Sequence, residues 1–499
     1  MARLRILMAA SEAAPFARTG GLGDVMGALP GALAGAGHEV RVFIPRYGFL
    51  NDEAYDLRPV GGPFEIVLNG RRDRASLERA ARVSSPVEQF FVANSDLFER
   101  DQLYVDPETG VDYADNHLRF AFFCRAVLES CRRLNWKPDI IHVHDWQTAL
   151  VPVLLRTVYA GDTAFDGVRT VLTIHNLGYQ GLFDGEVFPD LDMPEELFYA
   201  ATGALEFFGK VNFLKGGIVA ADKVTTVSER YASEIGSSEE FGCGLHGVLA
   251  TRSGDLNGIL NGVDYSIWSP SRDKALTYRY SLSNLSGKRM SRVELLRKAG
   301  LPLRERVPLV AFVGRLTEQK GIDLIEEGAE AIFRLPLQMI VLGTGEEAHH
   351  LRLRKLERRY PDRLKVYLEF NDELAHRLQA GADILLMPSR YEPCGLNQMY
   401  ALRYGTVPVV REVGGLADTV KDYRPDTGQG TGFVFQDYTP EAMIEALSRA
   451  VELHRRRQKW VKLMKTGMRQ DFSWQRSAAR YIELFESLRV PQPAAESRS

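Results

Sequence analysis

The sequence predicts an α/β protein of two doubly wound lobes, and three observations carry that prediction. The chain has 499 residues, of which 45% are hydrophobic and 25% charged. That is a globular composition spread over more chain than one core organises. Short apolar runs alternate with helical patterns from the first residues onward, as in mostly parallel sheets covered by helices. The same alternation then restarts after a polar interruption, near residue 307.

In order, RILMAAS reads as a buried parallel strand, followed by the glycine-bearing loop RTGGLGDV and a small-residue helix through Leu33 that ends near Gly37. EVRVFIP is a second strand. HLRFAFFCRAVLESCRRL is helical, and DIIHVHD and RTVLTIH are further strands. These place a first lobe at residues 1–264. From Tyr265 to Val307 the chain is polar and interrupted by Pro270, Gly287, Gly300 and Pro302, which reads as a linker with an accessory helix over 265–307. VPLVAFVGRL, LQMIVLGTG, LKVYLEF, ADILLMPS and VPVVREVGG then supply the strands of a second lobe at 308–470. The Pro-, Ala- and Ser-rich tail 490–499 is expected to be disordered. Gly20-Gly21-Leu22-Gly23-Asp24 is echoed by Gly414-Gly415-Leu416-Ala417-Asp418. The echo is either a chance agreement of two turns or a mark of equivalent strand-to-helix loops in related lobes.

A formal net charge of -3 with no basic stripe argues against nucleic acid as a partner. The apolar run at the start stops at Ser11 and Glu12, too short for a signal peptide. No other run reaches the roughly 18 apolar residues that would cross a bilayer, so no membrane partner is expected. Cys124, Cys131, Cys243 and Cys394 lack metal or redox spacing, which fits a reducing cytoplasm. No oligomeric state is specified.

Residues able to do chemistry cluster at expected strand ends, where open α/β sheets bind ligands. Gly20 and Gly21 open a helix whose amides can meet an anion, with Arg18 adding a cation; the glycines equally suit a tight turn. Arg315 and Lys320, five positions apart after LVAFVG, can clamp a diphosphate or merely solvate a turn. Asp145 and His175 each end an apolar strand, and either could be a hydrogen-bonded core group. His142 and His144 are read as pointing to opposite sides of Val143, and without a third ligand they make no metal site. In Pro388-Ser389-Arg390-Tyr391-Glu392-Pro393-Cys394-Gly395-Leu396-Asn397-Gln398, Glu392 falls in a tight turn where a carboxylate can hold sugar hydroxyls. The amides around Gly395 start a helix, and Cys394 reads as a packed residue rather than a nucleophile.

Taken in order, SEAAPFARTGGLGDV, HVHDWQ, TIHNLGYQG, LNGVDYSIWSP, GRLTEQKG, SRYEPCGLNQMYALRYG and GGLADTV resemble the bacterial glycogen synthases and plant starch synthases over nearly the whole chain. These are retaining glucosyltransferases with two Rossmann-like lobes and an interdomain cleft, the GT-B type. The resemblance implies transfer of glucose from ADP-glucose to the non-reducing end of an α-1,4-glucan, with no metal or other cofactor. It also implies that DFSWQRSAARYIELFESL forms a closing helix over 471–489 that returns to the first lobe. By residue, it implies catalytic roles for Asp145, His175, Arg315, Lys320 and Glu392. Donor contacts are implied for Arg18, Gly20, Gly21, Asn261, Gln319, Cys394, Gly395 and Leu396.

Arg18 departs from the family's usual lysine, which bears on donor preference because a planar guanidinium differs from a compact ammonium. Tyr400 stands where some related transferases place a second glutamate, an absence that the family shares. The competing expectations are a retaining transferase with a small acceptor, such as a sucrose-phosphate synthase, and a catalytically silent glucan-binding relative.

Overall fold

The computed structural model describes residues 3–82, 86–200 and 202–489; the expected disordered tail lies outside them. The chain divides into two compact units: Met1–Val227 with Ala232–Gly262 and Trp474–Ser499, and Ser228–Tyr231 with Val263–Ser473.

The first unit holds β1 (Arg5–Ala9), β2 (Glu39–Pro45), β3 (Leu57–Pro59), β4 (Phe64–Leu68), β5 (Arg71–Ala80), β6 (Glu88–Ala93), β7 (Ile140–His144) and β8 (Arg169–Ile174). A separate small sheet consists of β9 (Leu182–Asp184), β10 (Glu206–Phe207) and β11 (Lys210–Asn212), and β12 (Lys223–Thr226) and β13 (Leu256–Gly258) complete the set. The main sheet runs β13-β12-β8-β7-β1-β2-β6-β5-β3, with β4 on β5. Pairing is parallel from β13 to β6 and antiparallel beyond. The parallel strands read as unbroken apolar runs because both faces are covered. The antiparallel edge, charged in RRDRASLERA, gave no such signal. Chain order reverses between β1 and β7, the kind of switch point where ligands bind.

The helix Gly21–Gly35 buries Leu22, Val25, Met26, Leu29 and Leu33, a helical stripe. The last helix, Trp474–Ser487, buries Trp474, Ala478, Tyr481, Ile482 and Phe485 and belongs to this first unit.

The second unit contains β14 (Leu309–Val313), β15 (Gln338–Leu342), β16 (Leu364–Tyr367), β17 (Ile384–Met387), β18 (Val407–Arg411) and β19 (Phe433–Phe435). All are parallel, in the order β16-β15-β14-β17-β18-β19. Counted within the unit this is 3-2-1-4-5-6, the dinucleotide-fold order, with its switch point between β14 and β17. Residues read as a linker are built into this unit. Trp268 stacks between His376 and Tyr400 at 3.7 and 3.8 Å, and Asp273 accepts a 2.8 Å bond from His376.

Candidate active site

In the first unit, the loop leaving β1 is tied down by Glu12, 4% exposed. Its carboxylate accepts from Thr19 N at 2.6 Å, Thr19 Oγ1 at 2.7 Å, Gly20 N at 3.3 Å and Tyr104 OH at 2.8 Å. These bonds hold the glycine segment as it enters the helix Gly21–Gly35, whose N-terminus has no side-chain cap among the described residues. Gly20 is extended, with φ -160°, and neither it nor Gly21 has a positive φ. Among the described residues, no atom lies within 4 Å of where a Cβ would stand on either glycine. The turn itself therefore does not require glycine. Arg18 pairs with Asp24 at 2.9 Å, both partly exposed.

Across the switch point, Asp145 follows β7 with φ +56°, a left-handed conformation that is strained for a residue other than glycine. Its Oδ1 accepts from His175 N at 2.7 Å, joining the ends of β7 and β8. Burial, with Glu12 adding repulsion, pushes the Asp145 carboxyl up to about 7, against the pull of the amides of His175 and Asn176. His175 Nε2 lies 3.0 Å from His144 Nδ1, and burial draws the His175 imidazolium down to about 3, so the ring is neutral at physiological pH. The site thus offers a neutral imidazole and a carboxyl group poised near neutrality.

The rings of His142 and His144 are 4.2 Å apart. They share one face, contrary to the expectation of opposite sides, because residues i and i+2 of a strand point the same way. His142 bonds Thr173 at 2.6 Å, and Thr173 bonds Thr225 at 2.6 Å, a buried polar ladder across β7, β8 and β12. Asn261, 4% exposed, has a buried Oδ1 with no hydrogen-bond partner among the described residues.

In the second unit, Lys320 Nζ donates to both carboxylate oxygens of Glu392, at 2.8 and 2.6 Å. Their side chains are 22% and 6% exposed, and Ser389 Oγ adds a 3.1 Å bond to the carboxylate. The sequence offered these two as separate contacts; adjacency of β14 and β17 makes them one pair. Arg315 donates to Gln319 at 3.0 Å on the exposed side. Gly321, φ +74°, has room for no side chain, since a Cβ would stand 2.0 Å from Pro388 O.

The turn carrying Glu392, Cys394, Gly395 and Leu396 is fixed from three directions. Asn397 Nδ2 reaches Val313 O at 3.1 Å, Gln398 Nε2 bonds Cys394 O at 2.9 Å and Gly395 O at 2.8 Å, and Gly415 N donates to Glu392 O at 3.1 Å. Cys394 is buried, 5% exposed, and all four cysteines are free thiols. Asn397 and Gln398 fall in the stretch singled out from the sequence, but their part in holding the turn, like that of Glu12 in the first unit, was not read there. Among the described residues, no three His, Cys, Asp or Glu are grouped to hold a metal ion.

Two polar clusters of this kind, each at a sheet's switch point, invite comparison with known glycosyltransferases. The starch synthase catalytic domain family matches residues 5–251 and the glycosyl transferases group 1 family matches 296–466. A glycogen synthase of Koribacter versatilis is 47% identical over 98% of this chain and 100% of its own. The chain belongs to the glycogen and starch synthase family. Among solved structures of this family, the catalytic domain of starch synthase IV from Arabidopsis thaliana, bound to ADP and acarbose, matches with TM-score 0.88 and 33% identity, over 98% of this chain and 99% of that one. A sucrose-phosphate synthase from Thermosynechococcus elongatus, at TM-score 0.59 and 18% identity over 97% and 99% of the two chains, shares the fold alone. As a glycogen and starch synthase relative, the protein is a hexosyltransferase with the GT-B fold.

Proposed function

We propose that the protein extends α-1,4-glucans, taking glucose from ADP-glucose and passing it to the non-reducing end of glycogen with retention of configuration. The observation that carries this reading is the full-length likeness to a starch synthase that holds ADP and acarbose. Arg315 and Lys320 take up the charge that grows on the departing diphosphate, a stabilisation made in the transition state. The 4-hydroxyl of the acceptor attacks the anomeric carbon on the face from which the diphosphate leaves, through an oxocarbenium-like state. Glu392, fixed by Lys320 and Ser389, holds glucose hydroxyls; its second task is to set the Lys320 ammonium in place. Neutral His175 donates or accepts without adding charge, and Asp145 orients the sugar beside it.

The open space over Gly20 and Gly21 supports donor binding at that loop: Glu12 takes the Gly20 amide, and Gly21 opens the helix beyond it with no side chain over it. Asn261, with its unpartnered buried Oδ1, fits a sugar contact. No metal is assigned a role, so a chelator should leave the rate unchanged. The described residues contain no helix long and apolar enough to cross a membrane, and we place the enzyme in the cytoplasm. Incubating the protein with ADP-glucose or UDP-glucose and glycogen, and measuring released ADP or UDP, tests the reading. Faster release from ADP-glucose with lengthening of glycogen is expected; equal turnover with free glucose as acceptor would overturn it.

A further inference from the structure

The second unit has another concave site, at the opposite ends of its strands. A cavity of about 880 Å³ is lined in part by Val307, Pro336 and Asp383, which lie just before the amino ends of β14, β15 and β17. Arg315 and Lys320 follow the carboxyl end of β14, which has five residues and spans about 17 Å at ~3.3 Å per residue. A ligand in this cavity therefore does not touch the diphosphate clamp.

The lining is strongly basic. Lys288, Arg289, Arg292, Arg306, Arg455 and Arg457 face Glu305 and Asp383 alone, although the chain as a whole carries a net charge of -3. Asp383 is already engaged: it accepts from Arg292 Nε and Leu309 N, each at 2.9 Å, and lies 3.5 Å from His454 Nε2. Among the described residues, Arg289, Arg306, Arg455 and Arg457 have no carboxylate partner within ion-pair distance. Unpaired guanidinium groups gathered round one cavity repel one another unless an anion joins them.

Two buried groups in the wall add to this. His454, 7% exposed, has an Nδ1 without a hydrogen-bond partner. Lys288, 5% exposed, donates to Ala380 O at 3.1 Å and Thr406 Oγ1 at 2.7 Å, which leaves one of its three donors over. Burial draws its amine down to about 7, with Arg457 pulling the same way and Asp383 opposing. An anion in the cavity would favour its charged form.

We propose that this cavity binds a small phosphorylated sugar. Guanidinium forks match phosphate oxygens two at a time, which favours phosphate chemistry. The volume falls in the range of small-molecule sites and exceeds what a bare phosphate fills, which favours a phosphate carried on a sugar-sized body.

The test is calorimetric titration of the full chain, kept in saturating ADP, with fructose 1,6-bisphosphate, inorganic phosphate and unphosphorylated fructose at matched ionic strength. One bisphosphate per chain is expected, bound at least tenfold more tightly than inorganic phosphate, with no heat from fructose. The double variant Arg289→Gln/Arg457→Gln, which removes exposed side chains that make no internal hydrogen bond, should weaken the bisphosphate at least tenfold and leave the melting temperature unchanged. Lys320→Ala should leave bisphosphate binding unaltered. The proposal is overturned if the bisphosphate fails to bind, binds no better than inorganic phosphate, is indifferent to the arginine substitutions, or loses its site in Lys320→Ala.

Discussion

Gly20 and Gly21 enter a helix with no described atom within 4 Å of a would-be Cβ, whereas at Gly414 and Gly415 a Cβ would stand 2.0 Å from Glu392 O and 1.9 Å from Cys394 O. The two glycine pairs look alike in sequence but leave different strands, the first of one sheet and the fifth of the other. The second pair lets backbone pack on backbone and so fixes the turn that carries Glu392. The first leaves the start of the helix at Gly21 uncovered. The chemistry of the two clusters differs in parallel. At Asp145 and His175 burial selects nearly neutral forms, while at Lys320 and Glu392 opposite charges neutralise each other in contact. One glycine loop is framework; the other is the loop we propose for the donor.

The largest expected effect comes from breaking the ion pair. Lys320→Ala strands a buried carboxylate, at a cost of about 3–5 kcal/mol in stability. Loss of the diphosphate contact should lower kcat/KM by roughly 10- to 150-fold, from about 1.5–3 kcal/mol. Adding Glu392→Gln should recover stability in denaturant titration but not activity. A double variant no more stable than Lys320→Ala would show that the pair is not what costs.

Gly415→Ala comes next. A methyl overlapping Cys394 O must displace the turn, and about 2–4 kcal/mol should be lost on chemical unfolding, with activity falling alongside. A wild-type midpoint would mean that the turn is not anchored there.

Asp145→Asn sharpens the contrast in charge. The native carboxyl titrates near 7, above its usual value of 3.8. The folded state therefore holds more protons than the unfolded chain between about pH 4 and 7, and its stability falls as pH rises through that window. The variant should be more stable than wild type at pH 8, by up to about 4 kcal/mol for a shift of roughly three pKa units, a gain that vanishes below about pH 4. The acidic limb of the kcat/KM profile near pH 7 should vanish with it, and persistence of that limb would assign it to another group.

Arg18 should give the smallest change in stability, since its bridge to Asp24 is partly exposed and such pairs are worth about 0–1 kcal/mol. Arg18→Lys should remain active with at most a modest rise in donor KM, and Arg18→Ala should raise donor KM while leaving that for glycogen alone. A change confined to glycogen would make the arginine an acceptor residue.

The strands that build both switch points were legible because buried parallel strands are unbroken apolar runs. Their neighbours were not. Lys320 and Glu392 are 72 positions apart, and only the pairing of β14 with β17 joins them. Glu12 follows a strand with no periodic signal, and its role exists only once Thr19, Gly20 and Tyr104 fold round it. The histidines of β7 were misread although strand period alone sets them on one face. The stretch 265–307 looked like a linker because its polar residues, such as Asp273, find buried partners far along the chain.

The contrast between the glycine pairs is tested most directly by Gly21→Ala, read for melting temperature and for donor KM together. Position 21 opens the helix, has no positive φ and has open space around it, so alanine should hold or raise stability by up to about 1 kcal/mol. Donor KM should nonetheless rise at least tenfold, because the methyl covers the amides that the donor approaches. A variant that keeps both its melting temperature and its donor KM would contradict the assignment of this loop to substrate.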